Sequence, residues 1–400
     1  MQTAFYQQNK EDLTAITSLR GIAALLVCVL HFSDLLLPQF GTITAQYTNF
    51  FNNGYLWVDF FFLLSGFVLT HVYHQTFSVQ ISGHQYRKFM LARFARIYPL
   101  HLFMLLVLVL MEIVETIGYI QQHSLSHFLS VWPYGELDLS FTGPTGLVDL
   151  AKNIFLVHSL TISPLETSWN HPAWSIGTEW AAYFLIPLWI RLLYKRISFN
   201  TGLPVTLVVI LGLCFATIVW VGGQTTRDLD VGGFIGLVRC TAEGIIGICF
   251  YTIYIRWLPT NLSINNFAFS LLFLCMALIM HWNIMDAAII PVFALIILLI
   301  NFHRGIYHRL LNASFLVYLG AISYSIYMIH IPFKSLINDI SEFFIGMLPS
   351  QFFTVGESFL AMPLFLLIVI IISHFTYQYL EIPARNYIRR SIHVKRLLHT

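Results

Sequence analysis

Arg20 and His31 stand eleven residues apart in Leu19-Arg20-Gly21-Ile22-Ala23-Ala24-Leu25-Leu26-Val27-Cys28-Val29-Leu30-His31, an apolar run long enough to enter a bilayer. At about 100° per residue this spacing is three turns plus about 20°. Both side chains therefore leave nearly the same helix face, roughly 16 Å apart along the axis. Ionisable groups inside a membrane segment are expensive and face a cavity or a partner helix. A guanidinium there can hold an anion, and an imidazole is a base near neutral pH. The alternative is interfacial, with Arg20 snorkelling to the headgroups and His31 at the far boundary. Asp34, three residues beyond His31, either fixes the imidazole tautomer or lies solvated at the interface.

Other stretches offer comparable chemistry. Arg93 and Arg96, in Arg93-Phe94-Ala95-Arg96-Ile97-Tyr98-Pro99, are i,i+3 neighbours. Two guanidiniums on one face can grip phosphate bidentately, and membrane anchoring by basic residues explains them equally well. Asn170-His171-Pro172-Ala173 is a helix-start signal, with proline in the first turn. Behind it, Ser175 and Glu179 share a face that His171 extends, and Glu179 lies about 10 Å inside the outer boundary. A carboxylate at that depth marks a functional site by default, the alternative being a hydrogen-bonded structural glutamate. Asp59 is expected near the outer boundary, and Ser65-Gly66 in mid-membrane reads as close helix packing. Arg239 and Glu243 are i,i+4 and are expected to neutralise each other. The sequence assigns no role to Glu112 and Glu115, and it reads His330 as a satisfied structural histidine.

Composition sets what must position these residues. The 400-residue chain is 57% hydrophobic and only 10% charged, less than half the usual charged share. That excludes a soluble enzyme and leaves no room for a large aqueous domain. A net charge of +2 gives no reason to expect a nucleic-acid partner. All five cysteines fall in apolar runs, so neither a disulfide framework nor a metal site is expected. The charged start from Gln7 to Asp12 leads into a full-length span rather than a cleavable signal peptide. The expected fold is all-α: one membrane-embedded helix bundle over residues 1–400 with about ten spans. At about 20 residues per span, they fall near 14–37, 54–73, 94–118, 172–194, 204–222, 233–256, 267–282, 285–301, 314–336 and 357–380. Sixteen of 21 Lys and Arg fall on one side of these spans, three opposite (Lys152, Arg227, Lys334) and two within (Arg20, Arg239). The positive-inside rule then makes both termini cytoplasmic. It also makes residues 119–171, with Glu136, Asp138, Asp149 and Glu166, a long extracytoplasmic loop whose part near 150–160 dips into the interface as a short helix.

Taken together, six stretches resemble the acyltransferase-3 family of polytopic membrane O-acyltransferases. They are Arg20 with His31, Asp59-Phe60-Phe61 through Ser65-Gly66-Phe67, Arg93 to Pro99, Trp174 to Glu179, Tyr324-Ser325-Ile326-Tyr327 with His330, and Tyr377 to Arg385. The chain departs from the family in reading Thr17-Ser18 where Asp-Gly often precedes Leu-Arg-Gly. The resemblance implies an enzyme of a bacterial inner membrane. It would move an acyl group, expected to be acetyl, from cytoplasmic acetyl-CoA to a hydroxyl of an extracytoplasmic polysaccharide, such as a lipopolysaccharide or an exopolysaccharide. Its implied partners are acyl-CoA, the glycan acceptor and membrane lipids. Arg20, Arg93 and Arg96 would hold CoA phosphates, while His31 would deprotonate the acceptor or relay the acyl group. Glu179 would orient the acceptor or the imidazole, with Trp174, Ser175 and Asp34 as further substrate contacts. The appended esterase-like domain of some members is not expected here. Two rival classes remain, a proton- or anion-coupled transporter and an assembly partner in glycan export. The first would show paired inverted halves with broken helices, and no such pairing is visible.

Overall fold

The computed structural model describes residues 13–123, 145–160, 169–194, 229, 233–256, 258, 262–282, 286–303 and 305–397. The expected span 204–222 lies outside these residues, as do Lys10, Cys214, Glu136, Asp138, Glu166, Lys195, Arg196, Arg227 and Arg304. The principal helices are α1 (Thr14–Leu35), α2 (Trp57–Phe77), α3 (Gly83–His123), α4 (Leu147–Ile154), α5 (Ala173–Tyr183) and α6 (Gly233–Arg256). They continue with α7 (Asn266–Trp282), α8 (Ile289–Leu299), α9 (Ser314–Ala321), α10 (Ser323–Ile345), α11 (Val355–Thr376) and α12 (Ile382–Leu397). Among the described residues there is no strand, only an isolated bridge between Ile264 and His303. Among the described residues, five helices are long and apolar enough to cross a membrane, or six if α9 and α10 form one span bent by 63°.

The differences from the expected spans have local causes. The expected span 94–118 is the middle of α3, whose 41 residues reach about 60 Å, twice a hydrocarbon core. The span 172–194 is broken: α5 ends at Tyr183, and Pro187 restarts the chain as a short helix (Ile186–Trp189) and a π-turn to Tyr194. Proline has no N–H for the preceding turn and disfavours helix in the residue before it. The interfacial helix expected near 150–160 forms earlier, as α4, and ends where Leu156 takes a left-handed φ of 57°.

Two close crossings knit the bundle. A Cβ on Gly66 would collide with the Gly244 carbonyl, and one on Gly247 with that of Leu63, so α2 and α6 touch backbone to backbone. The packing expected of Gly66 is present. Gly320 of α9 meets the Thr17 carbonyl of α1 in the same manner.

A buried ion pair fixes the first crossing. Arg239 Nε donates to Asp59 Oδ1 at 2.7 Å and Nη2 to Oδ2 at 2.6 Å, with the two side chains 1% and 0% exposed. Its Nη1 donates to the Leu229 carbonyl, and the guanidinium lies 5.8 Å from the Trp174 ring and 5.9 Å from Phe62. The expected partner, Glu243, is farther away, at 3.6 Å from Nε. Asp59 is thus fully buried, and the expected i,i+4 pair with Glu243 is present at longer range beside the carboxylate that meets the guanidinium fork. Removing one partner of such a pair costs about 3–5 kcal/mol, against at most about 1 for a partly exposed pair. Asp59→Ala should therefore lower the thermal midpoint in detergent far more than Asp149→Ala, which breaks the half-exposed Lys152–Asp149 pair at 2.8 Å. Equal shifts for the two variants would remove the anchoring role of Asp59.

Candidate functional site

α1, α2, α3, α5 and α10 enclose a cavity of about 130 Å³. Arg20, Arg93 and Arg96 all line it, with Glu179 and Ser65 across from them. Each of the five helices brings at least one polar side chain to a partly apolar wall. Arg20, from the middle of α1, donates from Nη2 to Ser323 Oγ at 3.1 Å, just where the bend at Ile322 gives way to α10. Tyr324, the next residue, donates its hydroxyl to the Ile97 carbonyl at 2.7 Å, one residue past Arg96. That bond pins the start of α10 to α3. Ser65 Oγ donates to Glu179 Oε1 at 2.7 Å, joining α2 to α5.

Arg93 is held by aromatic faces as well. Its guanidinium carbon lies 5.8 Å from the Tyr73 ring and 5.9 Å from those of Phe89 and Tyr183. Cation–π contact of this kind orients a guanidinium without neutralising it. Among the described residues, none of Arg20, Arg93 and Arg96 is in an ion pair within 4.0 Å.

His31 belongs to a second group further along α1. Its ring stacks on that of His330 (centroids 5.2 Å apart, planes at 20°) and meets His171 edge-on at 5.5 Å. Tyr327 connects the two groups. It lines the cavity, its ring lies 5.8 Å from His330, and its hydroxyl is 2.8 Å from Ser175 Oγ. The Pro172 carbonyl lies within hydrogen-bond reach of both, 3.0 Å from Ser175 Oγ and 3.2 Å from the Tyr327 hydroxyl, and accepts from whichever of the two does not donate to the other. The chain entering α5 is fastened by His158 Nε2, 2.9 Å from the Ala173 carbonyl. Burial pushes that imidazole down to about 4, so it stays neutral.

The sequence-selected residues thus divide. Arg20, Arg93, Arg96, Ser175 and Glu179 converge on one cavity. His31 is not in its lining but lies beyond Tyr327, among histidines. Glu179, set apart in sequence as an outer residue, shares the cavity with the guanidiniums. Trp174 turns the other way, onto Arg239 and Phe62. Asp34 is exposed at the end of α1, and the rings packed on His31 are those of His171 and His330. Sequence reasoning missed Ser65 as a partner of Glu179, Ser323 as a partner of Arg20, and Tyr327 as the link. Their signal was hydroxyl side chains recurring within apolar runs, which packing alone does not require. Among the described residues, no group of three or more His, Cys, Asp or Glu side chains could hold a metal ion.

Comparison with known proteins gives this arrangement its context. The acyltransferase-3 family model, described as an acyltransferase domain, matches residues 13–377. The acyltransferase MdmB of Streptomyces mycarofaciens is 32% identical over 194 residues, which cover 46% of this chain. The match spans 40% of that relative's length. No solved structure matches. A family match over more than nine-tenths of the chain, on a bundle with at least five helices long and apolar enough to cross a membrane among the described residues, places the protein: the chain belongs to the acyltransferase-3 family.

Proposed function

We propose that the protein transfers an acyl group, acetyl in the simplest case, from acyl-CoA to a hydroxyl of an extracytoplasmic glycan. The observation that carries the donor half is the convergence of Arg20, Arg93 and Arg96 on one cavity, with Glu179 the carboxylate in its lining. An excess of fixed guanidiniums in an apolar bundle favours a polyanion, and the phosphates of CoA supply one. The acyl end of the donor would then point along α1 toward Tyr327 and His31.

In the reaction the acceptor hydroxyl gives up its proton, its oxygen attacks the thioester carbonyl, and the carbon–sulfur bond breaks. The products are the ester and CoA as thiol. His31 is proposed as the base that takes the hydroxyl proton, the role an imidazole suits near neutral pH. Glu179, held by Ser65, is proposed to orient the reacting groups at the cavity's carboxylate side. Trp174 and Asp34 stand away from the cavity lining and are not assigned substrate contacts. The proposed setting is a bacterial inner membrane, with ten spans and both termini cytoplasmic, supported by the 16-to-3 split of basic residues.

Three experiments test this reading. In proteoliposomes, acceptor-dependent release of CoA should disappear in His31→Ala while the protein remains inserted. Normal turnover in that variant would remove His31 from the chemistry, and solute flux without acyl transfer would favour a transporter. The second concerns the arginines. A charge-assisted contact to phosphate is worth about 1.5–3 kcal/mol. Arg93→Ala should therefore raise KM for acetyl-CoA roughly tenfold to a hundredfold. Arg93→Lys, which keeps charge but loses the planar fork, should recover part of the loss. Wild-type kinetics in the lysine variants of both Arg93 and Arg96 would reduce these residues to membrane anchors. Sidedness is the third: tags at either terminus should resist protease in intact cells, and a tag inserted at residue 136 should be cleaved. Cleavage at a terminus would overturn the proposed topology.

A further inference from the structure

α12 follows α11 through a π-turn (Tyr377–Glu381) and packs along α3. It carries Arg385 and Arg389, an i,i+4 pair on one face. α3, the helix that α12 packs along, carries Arg93 and Arg96, so two pairs of guanidiniums are brought together by one helix–helix contact. The carboxylate set into this group is Glu381, which is buried, accepts a hydrogen bond from Ser325 and lies in the field of Arg96, Arg385 and Arg20. Among the described residues none of Arg93, Arg96, Arg385 and Arg389 is in an ion pair. Both Arg93 Nε and Arg385 Nε are buried without a hydrogen-bond partner.

Four guanidiniums from two helices, with one carboxylate engaged elsewhere, repel one another and leave buried donors unused. A ligand carrying several phosphate charges would relieve both costs. The arginines are also graded by depth: Arg20, Arg93 and Arg96 line the cavity, Arg385 is half-buried and Arg389 is exposed. A thioester-first ligand therefore passes the last two with its far end.

We propose that Arg385 and Arg389 form the outer half of a two-helix phosphate clamp and bind the terminal ribose phosphate of the CoA donor, leaving its diphosphate to Arg93 and Arg96. This rests on the donor assignment made above. The same guanidiniums could instead meet the phosphate of an anionic lipid headgroup, and the experiment separates the two sources.

Binding of CoA and of dephospho-CoA, which lacks only the ribose phosphate, is measured on the full-length protein. The vesicles are phosphatidylcholine, with and without phosphatidylglycerol. The wild type should bind CoA about tenfold or more tighter than dephospho-CoA, the range of one or two charge-assisted contacts. In Arg385→Gln/Arg389→Gln the two affinities should converge, through weaker binding of CoA and unchanged binding of dephospho-CoA. Arg385→Lys should keep part of the preference. Arg390→Gln, on the next position round the helix, should keep all of it. Retained dephospho-CoA binding demonstrates that the double variant is folded. A double variant that still prefers CoA overturns the clamp. So does one whose only defect is a lost response to phosphatidylglycerol, which would assign the pair to lipid. A wild type that binds neither nucleotide in either vesicle would overturn the donor assignment itself, and the clamp with it.

Discussion

The buried pair between Arg239 and Asp59 is the interaction on which the rest depends. It stands at a close crossing of the bundle, where glycines bring α2 and α6 into backbone contact, and Trp174 extends it to α5. A guanidinium in an apolar interior is tolerable only when its charge and its donors are met. Here a bidentate carboxylate, a backbone carbonyl and two aromatic faces meet them. Ser65 lies six residues along α2 from Asp59, and Glu179 lies five along α5 from Trp174. The hydrogen bond between Ser65 and Glu179 thus inherits its geometry from the anchor below it.

The anchored arginine and the cavity arginines make opposite uses of one side chain. Arg239 has spent its donors on the protein and is closed to a ligand. Arg20 has one hydroxyl partner, and Arg93 is oriented by rings that leave its charge in place. Saturated guanidiniums build the scaffold, and unsaturated ones face the space where an anion can come. The histidine group lies outside this electrostatic field and is reached through Tyr327. Arg20 and the histidine group thereby stand toward different ends of α1.

Much of this was legible in the sequence, because hydrophobic runs and charge placement act locally. The runs at 14–37, 54–73 and 233–256 closely match the cores of α1, α2 and α6, and the i,i+3 spacing of Arg93 and Arg96 does put both on one cavity wall. What escaped was long-range choice among partners. Arg239 keeps the expected carboxylate one turn away at 3.6 Å, but its fork is taken by one 180 residues distant, which the local pattern does not reveal. The meeting of Glu179 with Ser65 of α2 and with the cavity arginines was likewise a choice between distant elements.

The bend at Ile322 has one further consequence. It ends α9 and begins α10 at the cavity wall, so Ser323 and Tyr324, the first residues of a 23-residue helix, stand in the lining beside Arg20. The amino end of such a helix carries roughly half a positive charge, spread over peptide N–H groups rather than side chains. Part of the cavity's cationic character is therefore written into the backbone. No side-chain substitution deletes it, no pH change titrates it, and a lineage that drifted at one arginine would still retain a residual pull on anions.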